Sequence, residues 1–214
     1  TDETTEAISV IAGGDSNLIR GNLGVIGGGN SNTIEINSTS GVVSGGESNK
    51  IDSTASYGSI PGGFGAIAIN HGQHVHSAGY IDNFGDAQGT IQMVVRREID
   101  FSTDTGWQEL FLDGISETIS MPNNSMWTVD ILISAATASL ADRASYQITG
   151  AISNISSNVN IEAVNVTTIF ETNSLWDVDL DTGGSTWTVI VTDGSDSELI
   201  HWVATIRTSE LVYL

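Results

Sequence analysis

Residues 10–79 repeat one pattern of apolar and polar positions four times. Each copy opens with a pair or near pair of β-branched residues and continues through a Gly-Gly pair, and the first three copies then reach Ser-Asn and a further apolar residue. The copies occupy residues 10–24, 25–41, 42–58 and 59–79, at intervals of 15, 17 and 17 residues. So short a period is typical of a β-solenoid, in which each turn buries its apolar face against the next.

Two columns of apolar residues are expected inside this solenoid, because equivalent positions of successive turns lie one above another. The predicted columns are Ile11, Ile26, Val43 and Ile60, and Ile19, Ile34, Ile51 and Ile67. We expect the Gly-Gly pairs at the corners, where positive φ angles and close backbone approach favour glycine. The asparagines of the Ser-Asn pairs are expected to stack as a ladder.

The pattern changes after residue 88 to longer segments in which apolar and polar residues alternate. These segments predict nine strands separated by turn sequences such as Asp113-Gly114. The predicted strands are 90–98, 108–112, 116–121, 126–136, 144–153, 163–171, 176–179, 185–191 and 199–207, with a short tail at 211–214.

The two patterns together predict an all-β protein. Residues 1–9 are interpreted as a linker or the end of a preceding region, and residues 10–88 as a repeat β-solenoid shaft. Residues 89–214 are predicted to form a jelly-roll-like β-sandwich tip domain, because many short strands at regular spacing favour that architecture.

Charge narrows the partners that the chain can have. It contains 26 acidic and six basic residues, a net charge of −20. That charge repels phosphate backbones and anionic membrane surfaces, so we expect neither nucleic-acid binding nor membrane insertion.

The chain contains no cysteine, so no disulfide can stabilise it. Because a turn of about 15 residues is short for a solitary solenoid, we predict a homotrimer whose chains pack their apolar flanks around one axis.

Two groups of side chains raise the question of a metal. On a three-fold axis, His74 and His76 would offer six nitrogens to an octahedral ion, and His71 lies close by in sequence. The alternative is a stack of neutral histidines at the end of the shaft. Residues 177–181 carry alternating aspartates but lack the glycine and glutamate that a calcium loop requires. We therefore predict no metal and no cofactor.

Catalysis has weak support in the sequence. Paired acids such as Glu98 with Asp100, or Asp193 with Asp196, are of the type that cleaves glycosidic bonds. In so acidic a chain, however, neighbouring carboxylates occur by chance, and no nucleophile elbow or phosphate-binding loop accompanies them. We predict no catalytic residue and a protein that is not an enzyme.

The positions of the five tryptophans in the sequence distinguish predicted core residues from a predicted surface residue. Four of the five lie in alternating strands and are predicted to be core residues: Trp127, Trp176, Trp187 and Trp202. Trp107 instead follows a turn sequence, and loops on a rigid sheet commonly carry recognition. The predicted receptor contacts are Trp107, Asp104 in the same loop, and Arg143 in a second turn.

Two parts of the sequence resemble known families. The Gly-Gly-x-Ser-Asn repeat resembles the β-roll heads of trimeric autotransporter adhesins and the repetitive shafts of phage tail fibres. The passage GQHVHSAGYIDNFGDAQ at 72–88 resembles a motif of phage and prophage tail proteins, with His76 at the position of that family's histidine. The similarity continues in order through residues 109–135, 145–154, 176–180 and 200–211.

This resemblance is to the C-terminal region of bacteriophage tail fibre or tailspike-like virion proteins. It implies a homotrimer in the virion tail that binds a host cell-surface glycan or protein and contacts other tail proteins. A polysaccharide-depolymerising tailspike is one alternative, and a structural capsid fibre or decoration protein is another. The acidity and the loop at 100–107 depart from the family, so the resemblance does not identify the receptor.

Overall fold

The protein is built from β-strands. The computed structural model describes residues 3–4, 8–194 and 199–213, and none of these forms a helix. Accordingly, the described residues offer no helix of the length and apolar character that crossing a bilayer takes. The chain divides into two compact units, one containing the described residues of 1–93 and 209–214 and the other those of 94–208. The predicted all-β fold class is confirmed.

The first unit is a β-solenoid of about four turns. Its strands are β1 (Glu3–Thr4), β2 (Val10–Ile11), β3 (Leu18–Ile19), β4 (Val25–Ile26), β5 (Thr33–Ile34), β6 (Val42–Val43), β7 (Lys50–Ile51), β8 (Ser59–Ile60), β9 (Gly63–Phe64), β10 (Ile67–Ala68) and β11 (His74–Ala78). Two parallel sheets run along it, β2-β4-β6-β8 and β1-β3-β5-β7-β10. Consecutive copies of the repeat therefore stack as consecutive turns.

The interior columns follow the repeat. Ile11, Ile26, Val43 and Ile60 are register partners, and all are fully buried except Ile11, which is partly buried. In the second column Ile19, Ile34 and Ile51 are buried as predicted, but the fourth member is Ala68.

The prediction of Ile67 as a core residue is therefore wrong. Ile67 pairs with Lys50 and is only partly buried, because it occupies the outward-facing position of its strand. Ala68 follows Gly62 at the same interval at which Ile51 follows Gly45. The fixed offset from the glycine pair, and not the identity of the side chain, determines which residue points inward.

At the corners of the solenoid, the backbones of successive turns lie in close contact. A Cβ added to Gly29 would lie 2.1 Å from the backbone oxygen of Gly46, and Gly29 has a φ of +91°. Beside it, Asn32 Nδ2 donates to Gly28 O at 3.0 Å and to Gly46 O at 2.9 Å. The Asn32 carbonyl oxygen Oδ1 accepts from Asn49 N at 3.1 Å, which continues a buried ladder of Asn17, Asn32 and Asn49. The predicted asparagine ladder is confirmed.

The second unit contains most of the longer strands. They are β12 (Ala87–Asp100), β13 (Gln108–Glu109), β14 (Ile119–Ser120), β15 (Ser125–Thr137), β16 (Arg143–Ile155), β17 (Asn158–Glu171), β18 (Asp177–Gly183), β19 (Thr186–Thr192) and β20 (Leu199–Val212), of which β12 and β20 belong partly to each unit. Each of the nine predicted strands of this half overlaps an observed strand, and the predicted tail at 211–214 continues β20 as far as Val212. Leu214 lies outside the described residues.

Within the second unit, β17, β16, β15, β20 and β12 follow one another in one sheet, and β19 pairs with β13, β14 and β18. The side chains between them confirm the predicted aromatic core. Trp127 contacts Trp187 edge to face at 6.5 Å between ring centroids, and Trp176 lies 5.5 Å from Trp202. These four tryptophans are at most 2% exposed. The jelly-roll arrangement of the strands stays a prediction.

The close approach of the turns gives a direct test. We expect Gly29→Ala to lower the free energy of unfolding by more than about 3 kcal/mol, because the new Cβ overlaps the Gly46 carbonyl and the backbone has a positive φ. Gly45→Ala is the matched control, since its Cβ meets no atom within 4 Å. That variant should change stability by no more than about 0.5 kcal/mol. Urea denaturation measures both, and equal effects would contradict the proposed role of the corner.

Candidate functional site

A groove of about 360 Å³ runs along one side of the solenoid. Its floor is the outward-facing column of Thr33, Lys50 and Ile67, which are register partners on β5, β7 and β10. Ser31 and Ser48 precede the buried asparagines and line one side, and Phe84 lines the other. The groove therefore follows directly from the stacking of the turns, with one outward side chain supplied by each turn.

A chain of ion pairs crosses the turns beside the floor. Arg20 Nη1 lies 3.0 Å from Glu35 Oε2, and Lys50 Nζ lies 3.7 Å from Glu35 Oε1. Lys50 Nζ also lies 3.1 Å from Asp52 Oδ2. Burial raises the pKa of Asp52, but hydrogen bonds from Lys50 and Ser53, together with the charge of Lys50, outweigh it and leave the pKa below its ordinary value. Each ammonium or guanidinium group here thus has a carboxylate partner.

The loop that carries Phe84 is held by one buried carboxylate. Asp86 is 2% exposed and accepts hydrogen bonds from the backbone N–H groups of Ile81, Asp82 and Asn83 at 2.6–2.9 Å. Burial raises the pKa of Asp86, and these three bonds outweigh that effect and lower the pKa overall. The loop is thereby fixed as a tight turn around an anion, which places Phe84 at the rim of the groove.

Two further residues attach this loop to the last turn of the solenoid. Gln88 forms a pair of hydrogen bonds with the backbone of Ile67, one to the carbonyl and one from the N–H, each 2.9 Å long. A side chain at Gly85 would lie 2.9 Å from Ile67 Cδ1. The segment 85–88 is therefore structural, since Asp86 and Gln88 hold the loop and Gly85 leaves room for Ile67.

Phe84 belongs to an aromatic cluster with Phe64 and Tyr80. The ring centroids lie 4.9–5.6 Å apart in edge-to-face arrangements, and Tyr80 and Phe84 are 46% and 41% exposed. Gly65 makes room for this packing, because a Cβ there would lie 2.6 Å from Phe84 Cδ1. Exposed rings beside hydroxyl and charged side chains form the mixed apolar and polar surface on which a sugar ring can stack.

The receptor contacts predicted from sequence lie in the second unit and stay predictions. Asp104 is 3.7 Å from Arg97 Nη2, and Trp107, in the same loop, is 47% exposed. Arg143 begins β16, where its Nη1 donates to Leu140 O at 2.6 Å and its guanidinium lies 5.8 Å from the centre of the Phe170 ring. The loop leads into β13, which pairs with β19, whereas Arg143 lies on β16, which pairs with β15 and β17.

The sequence predicts no binding role for the groove residues. It places Phe84 and Tyr80 only within the passage that resembles tail proteins, and Lys50 only among six basic residues. The signal that identifies the floor is the position directly before the inward residue of each turn, which is occupied by Leu18, Thr33, Lys50 and Ile67. That position faces outward in every turn.

The histidines and aspartates that the sequence offers as metal ligands lie on or near β11 and on β18. His74 and His76 occupy the outward face of β11, and the His71 ring lies 5.2 Å from the ring of Tyr57. On β18, the carboxylates of Asp177, Asp179 and Asp181 each accept from the N–H of the following residue at 2.8 Å. Within the part of the chain that the structure describes, no three histidine or acidic side chains are grouped closely enough to hold a metal ion.

The acid pairs considered for catalysis belong to the second unit. Glu98 Oε2 lies 2.5 Å from His201 Nε2, and both side chains are about 60% exposed. Asp100 instead accepts a hydrogen bond from the N–H of Ser102 at 3.0 Å. Asp193 is buried, and Asp196 lies outside the described residues.

Comparison with solved structures finds phage tailspike proteins. One is the tailspike protein gp49 from Acinetobacter baumannii bacteriophage Fri1, described as a capsular polysaccharide depolymerase. The two sequences are 11% identical, the match covers 91% of this chain and 39% of the tailspike chain, and the TM-score is 0.36. Another is the tailspike protein of Acinetobacter baumannii phage AM24, 10% identical, covering 97% of this chain and 48% of its own, with a TM-score of 0.29. The chain thus spans less than half the length of either.

No protein-family model and no curated protein sequence matches the chain. The likeness to autotransporter heads, and the assignment to the C-terminal region of a tail protein, stay predictions. The prediction that the chain is not an enzyme is corrected by the structural comparison, because the Fri1 tailspike is described as a depolymerase.

Proposed function

We propose that this chain is part of a phage tailspike-type virion protein that engages a polysaccharide on the host surface, and that the solenoid groove binds the polysaccharide. The observation that carries this proposal is the groove itself, where Phe84 and Ile67 present apolar surface beside the hydroxyl groups of Ser31 and Thr33. An extended groove along stacked turns suits an extended repeating ligand, since each turn offers an equivalent position to the next sugar.

We expect Phe84→Ala to weaken polysaccharide binding about tenfold, because the ring supplies the apolar wall of the groove. Trp107→Ala tests the receptor contact predicted from sequence in the same assay; Trp107 is similarly exposed, and if the groove is the binding site its replacement should leave the affinity unchanged. Isothermal titration calorimetry against a panel of purified bacterial capsular polysaccharides measures both. Loss of binding in Trp107→Ala alone would favour the loop that the sequence indicated, and no binding to any polysaccharide would contradict the proposal.

Cleavage of the polysaccharide is a second candidate function. It is favoured by the contact between Glu98 and His201, because a carboxylate that orients an imidazole helps it accept a proton from an attacking water. Water would then add across the glycosidic bond, with the new hydroxyl on the anomeric carbon and the proton on the leaving oxygen. The exposed position of both side chains leaves room for a polymer to reach them.

If this pair acts in hydrolysis, His201→Gln should slow the release of reducing ends from a bound polysaccharide at least about a hundredfold. His74→Gln, which changes an imidazole on the solenoid, should leave the rate unchanged. A colorimetric reducing-end assay measures both variants beside the wild type. An unaltered rate in His201→Gln would exclude this pair, and absence of release by the wild type would exclude the candidate activity for this chain.

The proposed assembly is a homotrimer that packs along the solenoid. Val10, Val25 and Val42 lie one above another on β2, β4 and β6 and are 55%, 40% and 38% exposed. A stripe of stacked valines at the surface is unfavourable in water and is buried if copies of the chain pack against it. This supports the predicted packing of apolar flanks around a common axis, in a protein of the virion tail.

Sedimentation equilibrium should give a mass of three times 22.5 kDa for the wild-type chain. We expect Val42→Lys to produce monomers, because three ammonium groups would meet at the proposed axis. Thr33→Lys is the matched control, since Thr33 occupies the corresponding outward position of the other sheet and should leave the trimer intact. A wild-type monomer, or dissociation by both substitutions, would contradict this assembly.

A further inference from the structure

We infer that the polysaccharide bound in the groove is uncharged, with hydroxyl or N-acetyl groups but no carboxylate or phosphate on its sugars. This inference rests on the proposed binding function and specifies the chemical class of its ligand. It follows from the charges along the groove and from what they already contact.

The solenoid has few cations to offer an acidic ligand. Among residues 1–93 the only basic residues are Arg20 and Lys50, while the chain as a whole has a net charge of −20. A polyanion that approaches this unit therefore meets long-range repulsion, which specific contacts would have to overcome.

Both cations are already neutralised by the protein. Lys50 is paired with Asp52 at 3.1 Å and lies 3.7 Å from Glu35, and Arg20 is paired with Glu35 at 3.0 Å. The pKa of Asp52 lies below its ordinary value, so its carboxylate is ionised at neutral pH and faces Lys50 as a charged partner. An anionic sugar would have to displace a carboxylate from Lys50 and then remain beside it, and like charges at such a distance repel.

The remaining groups of the groove suit a neutral sugar. Thr33 and Ser48 present hydroxyl groups, which both donate to and accept from sugar hydroxyls. Ser31 Oγ donates to Asn30 Oδ1 at 2.6 Å and can accept a further hydrogen bond. Glu35 adds acceptors for hydroxyl or amide N–H donors. Asn49 is not available, because its Nδ2 donates to Gly45 O and Gly63 O at 3.1 Å within the ladder.

The test compares ligands that differ only in charge. Hyaluronan oligosaccharides carry a carboxylate on every second sugar, and carbodiimide activation followed by borohydride reduction converts each carboxylate to a hydroxymethyl group. Fully N-acetylated chito-oligosaccharides, which have no free amine, serve as a naturally uncharged probe. We expect the reduced oligosaccharides and the chito-oligosaccharides to bind at least about tenfold more tightly than unreduced hyaluronan by calorimetry.

Salt dependence provides the second readout. The dissociation constant of the neutral probes should change less than about twofold between low and high salt, because no counterion is released on binding. Tighter binding of unreduced hyaluronan, with affinity that falls as salt rises, would overturn the inference. Failure of every probe to bind would also overturn the inference. If an acidic capsular polysaccharide binds and the binding depends on Phe84, the proposed binding function holds but the inference of an uncharged ligand is wrong.

Discussion

The structure depends on the contact between backbones at the corners of successive turns. At each of the first three corners a glycine with positive φ brings its turn within reach of the next, and a buried asparagine bonds to both turns at once. Asn32, for example, donates to its own turn through Gly28 O and to the following turn through Gly46 O. Because an unpaired buried amide is costly, the ladder favours a single register between turns. The regular spacing of the strands and of their outward-facing side chains follows from that register.

The groove is a consequence of the same register. Once the asparagines stack, the next residue in each turn must face outward and the residue after it must face inward. Thr33, Lys50 and Ile67 are thereby aligned, and the ion pair of Lys50 with Glu35 spans neighbouring turns. The ladder ends at the fourth turn. The backbone N–H of Ala66 donates to Asn49 Oδ1, but Ala66 has no side-chain amide that could bond to a further turn. At that end the loop around Asp86 adds Phe84, so the groove is closed by aromatic surface where the repeat stops.

Much of this fold could be predicted from sequence because the repeat is regular. The glycine pairs, the asparagine ladder and the first interior column each depend on local chemistry that recurs at a fixed spacing. The error at Ile67 arose where the fourth copy replaced the inward isoleucine with alanine, so that residue type and position no longer agreed. The four buried tryptophans were predictable for the same reason, since alternation within a long strand specifies its inner face.

The site was less predictable because it joins distant parts of the chain. Phe84 reaches the groove only through the turn around Asp86 and the pairing of Gln88 with Ile67, and neither contact has a periodic signature. The pairing of Lys50 with two carboxylates depends on which side chains stack across turns, and total charge does not reveal it.

The most direct test of the account is to map a neutral polysaccharide onto the protein by NMR. Isoleucine methyl groups and backbone amides would be followed during titration with chito-oligosaccharides. The account predicts that the Ile67 methyl and the amides of Thr33 and Lys50 shift most, while the buried Ile26 methyl stays unchanged. Shifts confined to the loop at 100–107, or none in the solenoid, would contradict it.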